Sequence, residues 1–61
     1  MKNRLKEVRE QSKLTQKEVA DKLEITESAY RRYESGNSNP SVQRAIAIAK
    51  ILKTTVEELF T

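Results

Sequence analysis

The sequence predicts an all-α fold, because local preferences favour helix along almost the whole chain. Its 61 residues include one Gly and one Pro, the two residues that disfavour helix most strongly. No apolar–polar alternation typical of a strand continues for more than a few residues. There is also no repeat, low-complexity tract or linker. We therefore expect residues 1–61 to form a single domain of five short helices.

The first two helices are predicted from apolar spacing and from a capping motif. The first is expected over residues 3–12. Residues 15–18, Thr-Gln-Lys-Glu, match a capping box, in which the threonine and glutamate side chains each bind a backbone N–H. This motif predicts that the second helix covers residues 16–23. The predicted inner residues are Leu5, Val8 and Ser12 in the first helix and Val19, Ala20 and Leu23 in the second.

The third helix is bounded by a cap at each end. Thr26 is a good N-cap, and Glu27 places a carboxylate at the positive end of the helix dipole. Gly36 suits the left-handed residue that commonly ends a helix. The third helix is therefore predicted from Glu27 to Ser35, followed by a loop at residues 37–40, Asn-Ser-Asn-Pro.

Hydroxyl residues also mark the starts of the last two helices. Ser41 is expected to cap the fourth helix, and Thr55 to begin a second capping box with Glu58. The predicted inner residues of these helices are Val42, Ala45, Ile48, Ala49 and Leu52, followed by Val56, Leu59 and Phe60.

Composition excludes several classes of protein. The chain contains no Cys and no His, so disulfides and the usual zinc-ligand sets are excluded. With no base-activated nucleophile and no glycine-rich phosphate loop, we expect neither an enzyme nor a cofactor. No apolar stretch approaches the roughly 20 residues of a membrane span, and no signal peptide is apparent, so a cytoplasmic protein is expected. A net charge of +3 permits a polyanionic partner without identifying one.

The spacing of the second and third helices is typical of a helix-turn-helix. The turn between them, residues 24–26, is about three residues long. A step of about 100° per residue places Ala29, Tyr30 and Tyr33 on one side of the third helix. The opposite side carries Ser28, Arg31 and Ser35, flanked by Glu27 and Arg32. A helix with these two sides could pack against a core and face DNA.

The outer side of the third helix has the chemistry of a surface that reads bases. Arginine can contact guanine or phosphate, serine can contact any base edge, and glutamate can accept a hydrogen bond from cytosine. The alternative is an ordinary solvated face. For Glu27, a purely helix-stabilising role is about as plausible as base reading, because an acidic residue in the first turn is favourable in any protein.

The start of the second helix and the loop after the third are candidates for phosphate binding. Gln16 occupies the first position of its helix, where the side chain and the backbone N–H can both meet a phosphate. An ordinary solvated residue of a first turn is an equally plausible interpretation of Gln16. Asn37, Ser38 and Asn39 could bind phosphate too, although such residues also serve turn formation.

The order of the motifs is more specific than any one of them. The informative segments are Leu14-Thr-Gln-Lys-Glu-Val-Ala20, Leu23, Ile25-Thr26, Tyr30-Arg-Arg-Tyr-Glu-Ser-Gly36, Asn39-Pro-Ser41, Ile48-Ala-Lys50 and Val56-Glu-Glu-Leu-Phe60. Over nearly the whole chain this order resembles the lambda-repressor-like helix-turn-helix family of the Xre/Cro type.

The resemblance implies a compact five-helix domain, with its helix-turn-helix at about residues 16–35, that binds double-stranded operator DNA as a homodimer. A transcriptional regulator, more specifically a repressor, is the expected function. A small helical protein-interaction module, such as an antitoxin or anti-repressor, is the alternative. The expected base-reading residues are Glu27, Ser28, Arg31 and Arg32. Ser28 and Arg32 are the main candidates, and phosphate binding is the alternative for Arg31. The expected phosphate-contacting residues are Gln16, Lys17, Thr26, Ser35, Asn37 and Asn39.

The resemblance also implies an ion pair and two unusual backbone positions. Family members often pair an arginine of the first helix with the glutamate of the Glu-x-Gly segment. Arg9 and Glu34 occupy those two positions here. The family commonly has glycine where this chain has Lys13 and Glu24. If these two residues keep a left-handed backbone, we expect each to store about 1 kcal/mol of strain.

A self-association surface is the least specific prediction. Ile46 and Ile51 are large apolar residues that the inner side of the fourth helix does not obviously use. With Leu59 and Phe60 they are candidates for the dimer surface. The alternative is that they pack locally against the last helix.

Overall fold

A computed structural model describes residues 3–60, and it confirms the predicted all-α fold. The described residues form five helices and no strand. Residues 1, 2 and 61 of the predicted domain lie outside the described part. The helices are α1 (Leu5–Gln11), α2 (Gln16–Leu23), α3 (Glu27–Ser35), α4 (Val42–Ile51) and α5 (Val56–Leu59).

Side-chain caps begin α2, α3, α4 and α5 at the predicted positions. Each cap accepts a hydrogen bond from a backbone N–H that the first turn leaves unpaired. At α2 the capping box is complete, because the N–H of Thr15 also donates to Oε1 of Glu18 at 2.8 Å. The capping residues are Thr15, Thr26, Ser41 and Thr55.

The second predicted capping box is present only in part. Thr55 Oγ1 accepts the N–H of Glu58 at 3.1 Å, but the Glu58 carboxylate lies 3.2 Å from Nη1 of Arg4. The glutamate therefore contacts a cation near the start of α1 and does not reach back to its own cap.

The first helix is shorter than predicted because Asn3 has another role. Its Oδ1 accepts the N–H of Leu5 at 3.0 Å, and its Nδ2 donates to the carbonyl of Tyr33 at 2.8 Å. Asn3 thus lies before α1 and connects that helix to α3. At the other end, Ser12 is exposed, so its predicted inward position was wrong.

Every helix contributes one large, fully buried side chain to the core. These residues are Leu5, Val19, Tyr30, Ile48 and Leu59. The Tyr30 and Tyr33 rings pack edge to face, with centroids 6.3 Å apart and planes at 88°. This geometry is favourable for aromatic pairs. The core therefore fixes the inner side of α3 against the other helices.

Val42 is the clearest error among the predicted core residues, since it is 77% exposed. It begins α4, and α5 is only four residues long. Val56 and Phe60 line an open groove beside Val42 without covering it. A pattern along α4 alone does not show where the neighbouring helix ends. Among residues 3–60, no helix is long and apolar enough to cross a bilayer.

Left-handed residues follow the C-termini of four helices. Gly36, with φ 82°, ends α3 as predicted, and the residues that follow α1, α2 and α4 are not glycine. Lys13 and Glu24 have φ values of 60° and 59°, as expected, and Lys53, which was not anticipated, has φ 57°. In each case the next residue donates its N–H to a carbonyl five residues earlier. This bond is the one that closes a Schellman motif, so α1, α2 and α4 end in the same way.

Replacing Glu24 with Gly is expected to leave the stability unchanged or raise it by up to about 1 kcal/mol. A left-handed backbone costs about 1–2 kcal/mol for a residue with a Cβ atom, and part of this gain is offset by the greater freedom of glycine in the unfolded chain. Urea unfolding measures the change. The matched control is Glu10→Gly within α1, which should cost up to about 1 kcal/mol. A loss at position 24 as large as the control would contradict the prediction.

Candidate nucleic-acid interface

The α2–turn–α3 unit presents one side of α3 to solvent. The two helices are joined by residues 24–26, as the spacing predicted. Tyr30 and Tyr33 are buried, which directs the inner side of α3 into the core. The exposed residues of the helix are Ser28, Arg31, Arg32 and Ser35, while Glu27 is partly exposed. The predicted division of α3 into an inner and an outer side is therefore present in the structure.

A buried ion pair connects α1 to α3. Arg9 Nε lies 2.6 Å from Glu34 Oε2, and the two side chains are only 10% and 5% exposed. Arg9 Nη2 also donates to Glu34 Oε1 at 3.3 Å, and Nη1 donates to the carbonyl of Leu14 at 2.8 Å. The structure therefore brings together the two residues that the family resemblance paired.

The surroundings of Glu34 favour its charged form. Burial alone would raise the pKa of the carboxyl group, but hydrogen bonds, chiefly from Arg9, outweigh burial and lower the pKa. Burial raises the pKa of the Tyr30 hydroxyl nearby, and the Glu34 carboxylate raises it further. At neutral pH, Glu34 is thus an anion paired with Arg9, while Tyr30 is neutral.

Gln16 joins this buried pair to the outer side of α3. Its Nε2 donates to Glu34 Oε1 at 3.1 Å, and its Oε1 accepts from Arg31 Nε at 3.1 Å. Arg31 Nη2 in turn lies 2.8 Å from Glu27 Oε2. The sequence did not predict these contacts, because Gln16 is 18 residues from Glu34 and 15 from Arg31.

Arg32 differs from its neighbour Arg31. No hydrogen bond or ion pair joins its guanidinium group to another residue within the described part of the chain. It lines a shallow groove with Thr26, Ser28 and Ser38. Arg32 is therefore exposed, and no side chain among residues 3–60 binds its guanidinium group in a way that a ligand would have to displace.

The predicted phosphate-contacting residues are exposed, apart from Gln16, which is partly buried. Lys17 Nζ lies 3.6 Å from Asp21 on the surface of α2. The Thr26 oxygen caps α3, yet a threonine hydroxyl can still donate a hydrogen bond. The structure does not bring all of these residues together. Asn39 lines the groove beside Val42 on α4, and the first turn of α2 does not border that groove.

Arg44 is a residue that the sequence reasoning missed. Its Nη1 donates to the hydroxyl of Tyr33 at 3.1 Å. A cation in the first turn of a helix is unfavourable with respect to the helix dipole, and this contact connects α4 to the buried side of α3. The first turn of α4 contains this arginine and no acidic residue. That pattern could have indicated that Arg44 has a partner outside its own helix.

The candidate dimer surface has to be revised. Ile46 is 43% exposed, and Ile51 and Phe60 are partly buried against the core. Leu59 is fully buried within the chain, so it cannot meet a partner, and its predicted place on this surface was wrong. The side chain of Leu59 is directed inward by the single turn of α5.

Comparisons with known proteins agree with this architecture. A family model described as "Helix-turn-helix" matches residues 5–59. The uncharacterised HTH-type transcriptional regulator YqaE of Bacillus subtilis is 46% identical over 90% of this chain and 47% of its own length. The cryptic phage CTXphi transcriptional repressor RstR of Vibrio cholerae is 34% identical over 97% of this chain and 53% of its own length. The chain thus spans about half the length of these two relatives.

Two further similarities cover almost the whole of both chains. An uncharacterised HTH-type transcriptional regulator of Methanocaldococcus jannaschii is 37% identical over 98% of this chain and 91% of its own length. A crystal structure of "a putative DNA-binding protein" from Bacteroides fragilis superposes with a TM-score of 0.89 and 26% identity, covering 95% of this chain and 94% of the other.

Proposed function

The chain belongs to the lambda-repressor-like helix-turn-helix family of the Xre/Cro type, and from this membership we propose that it is a sequence-specific DNA-binding transcriptional regulator. It acts as a repressor in the cytoplasm and binds a palindromic operator as a homodimer. Residues 1–61 form the single DNA-binding domain. The observation that carries the proposal is the outer side of α3, with Arg31 and Arg32 exposed on a helix held by a buried ion pair.

The geometry supports base reading by α3 and phosphate binding at its edges. A recognition helix places its exposed side chains in the major groove, while the preceding helix crosses the DNA backbone. Ser28, Arg31 and Arg32 are exposed for the first role, and Glu27 begins the same helix. For the second role, the first turn of α2 carries Gln16 and Lys17. The other proposed phosphate contacts lie at the two ends of α3 and in the loop that follows it, at Thr26, Ser35, Asn37 and Asn39.

The proposed dimer surface centres on an exposed apolar stripe of α4. Val42 and Ile46 are 77% and 43% exposed, and their i, i+4 spacing places them on the same side of the helix. Phe60 lines the groove next to Val42. A two-fold dimer would double the number of base contacts and would read half-sites about 34–36 Å apart.

Two experiments test the proposed function. Selection of bound sequences from random duplex DNA should yield a palindromic motif. A salt titration with random duplex DNA should show affinity falling steeply with salt, because phosphate neutralisation releases counterions. A flat salt response, or no binding at low salt, would favour a protein-interaction module and reject DNA binding.

Replacing Gln16 with Ala is expected to weaken binding to all DNA sequences alike, by about tenfold, since a hydrogen bond to a charged phosphate contributes about 1.5 kcal/mol or more. The salt dependence should stay unchanged because glutamine carries no charge and because Arg31 keeps its ion pair with Glu27 in this variant. Fluorescence anisotropy with the selected site and with random DNA measures both effects. Gln11→Ala, at an exposed position at the end of α1, is the matched control. A changed base preference would show that Gln16 reads sequence.

A further inference from the structure

The two arginines on the outer side of α3 are in different states. Arg31 is held by Glu27 Oε2 at 2.8 Å and by Gln16 Oε1 at 3.1 Å, whereas Arg32 has no such contact with a described residue. The Glu27 and Arg31 side chains are 37% and 58% exposed. A negative charge therefore lies beside a cation on the surface that is proposed to face DNA.

We propose that Glu27 restrains Arg31 and thereby suppresses binding to non-cognate DNA. This inference rests on the proposed function and assigns Glu27 a role in specificity through Arg31. Exposed ion pairs between residues one helical turn apart are weak. A phosphate group can therefore compete with the Glu27 carboxylate for the guanidinium group, and the pair reduces DNA binding without blocking it.

On non-cognate DNA, Arg31 can adopt two arrangements, and both are unfavourable for binding. If Arg31 stays with Glu27, the pair contributes no net charge to phosphate neutralisation. If Arg31 moves to a phosphate, the Glu27 carboxylate is left without its partner next to a polyanion. Both arrangements lower the sequence-independent part of the affinity, which depends on released counterions.

An operator can remove this restraint when it places a suitable base beside Glu27. The amino group of cytosine is the donor that a carboxylate recognises in the major groove. Once Glu27 accepts that hydrogen bond, Arg31 can contact the DNA without leaving an unpaired anion. Glu27 would then favour the cognate site by penalising the others.

Gln16 keeps Arg31 in this restrained position. Its amide nitrogen donates to Glu34, whose side chain is only 5% exposed. The amide oxygen is consequently directed toward Arg31. Each end of the amide thus meets a group of the appropriate kind, a carboxylate acceptor on one side and a guanidinium donor on the other. The buried ion pair therefore helps to place Arg31 beside Glu27.

Glu27→Gln is the direct test, using a salt titration with random duplex DNA. In this variant, Arg31 should be free to make one additional phosphate contact. That contact should steepen the slope of log affinity against log salt by about 0.9 and raise the affinity by up to about eightfold at 0.1 M salt. The ratio of affinities for the selected operator and for random DNA should fall. Glu7→Gln is the matched control, because it removes the same charge from α1 together with a 3.0 Å contact to Arg4, which precedes that helix. The control should keep the wild-type slope.

The same substitution in an Arg31→Ala background separates the proposal from simple charge repulsion. If Glu27 acts through Arg31, Glu27→Gln will no longer steepen the salt slope there. An equal gain in both backgrounds would overturn the proposal, because Glu27 would then act only by repelling phosphate. An unchanged slope in the wild-type background would overturn it too. If the wild-type protein binds no DNA at low salt, the proposed function itself fails.

Discussion

Replacing Glu34 with Ala is expected to destabilise the fold by about 3–5 kcal/mol, because Arg9 would keep a buried positive charge without its partner. The side chains of this pair are 10% and 5% exposed, so water has little access to the guanidinium group that remains. A chain of 61 residues has a total stability of only about 3–9 kcal/mol at about 0.05–0.15 kcal/mol per residue. The expected loss is therefore a large fraction of the total stability, and the urea midpoint of the variant should fall accordingly.

Urea unfolding followed by circular dichroism measures this loss. The double variant Arg9→Met with Glu34→Leu should recover most of the stability, since replacing a whole buried pair with apolar residues is often close to neutral. Glu7→Ala is the surface control, because Glu7 forms an exposed pair with Arg4, and it should change stability little. Equal effects of Glu34→Ala and Glu7→Ala would show that the buried pair contributes no more than an exposed one.

The pH dependence of the same pair gives an independent measurement. The pKa of Glu34 is lower than the ordinary value of 4.5, so the folded state favours its charged form. Its stabilising contribution is present above about pH 4.5 and is lost as the pH falls through the lower pKa of the folded state. The stability difference between the wild type and Glu34→Gln should therefore shrink between pH 7 and pH 3. A constant difference would contradict the assignment.

The helices could be predicted from sequence because their determinants are local. Thr15 and Thr26 cap helices through bonds to residues three positions later, and such signals are visible in a short segment. The left-handed backbone at Glu24 was expected because family members commonly have glycine there. Local signals and a family resemblance were thus sufficient for the fold.

The errors arose where distant parts of the chain decide the outcome. Asn3 lies outside α1 because it binds the backbone of Tyr33, 30 residues away. Val42 is exposed because α5 is too short to cover it. The same limit applies to the candidate site. Spacing placed Arg31 on the outer side of α3, but it could not show that Gln16, from another helix, binds it.

Arg32→Ala is expected to remove discrimination at one operator position, with a loss of about 1–3 kcal/mol for the preferred base and little loss for the others. The guanidinium group of Arg32 has no ion pair within the described part of the chain. It can therefore approach a base edge without breaking an existing contact, in contrast to Arg31, which is bound to Glu27. Two parallel hydrogen bonds to one guanine would account for a loss confined to that base.

Competition binding with the selected operator and its single-base variants measures this discrimination. Arg4→Ala is the matched control, because it removes one arginine that binds Glu7 and Glu58 at the start of α1. It should leave the ranking of the operator variants unchanged. If Arg32→Ala weakens all variants equally and flattens the salt dependence by about one phosphate contact, Arg32 binds the DNA backbone. In that case base reading would fall to Ser28 and Arg31, and the restraint of Arg31 by Glu27 would have a larger influence on operator choice.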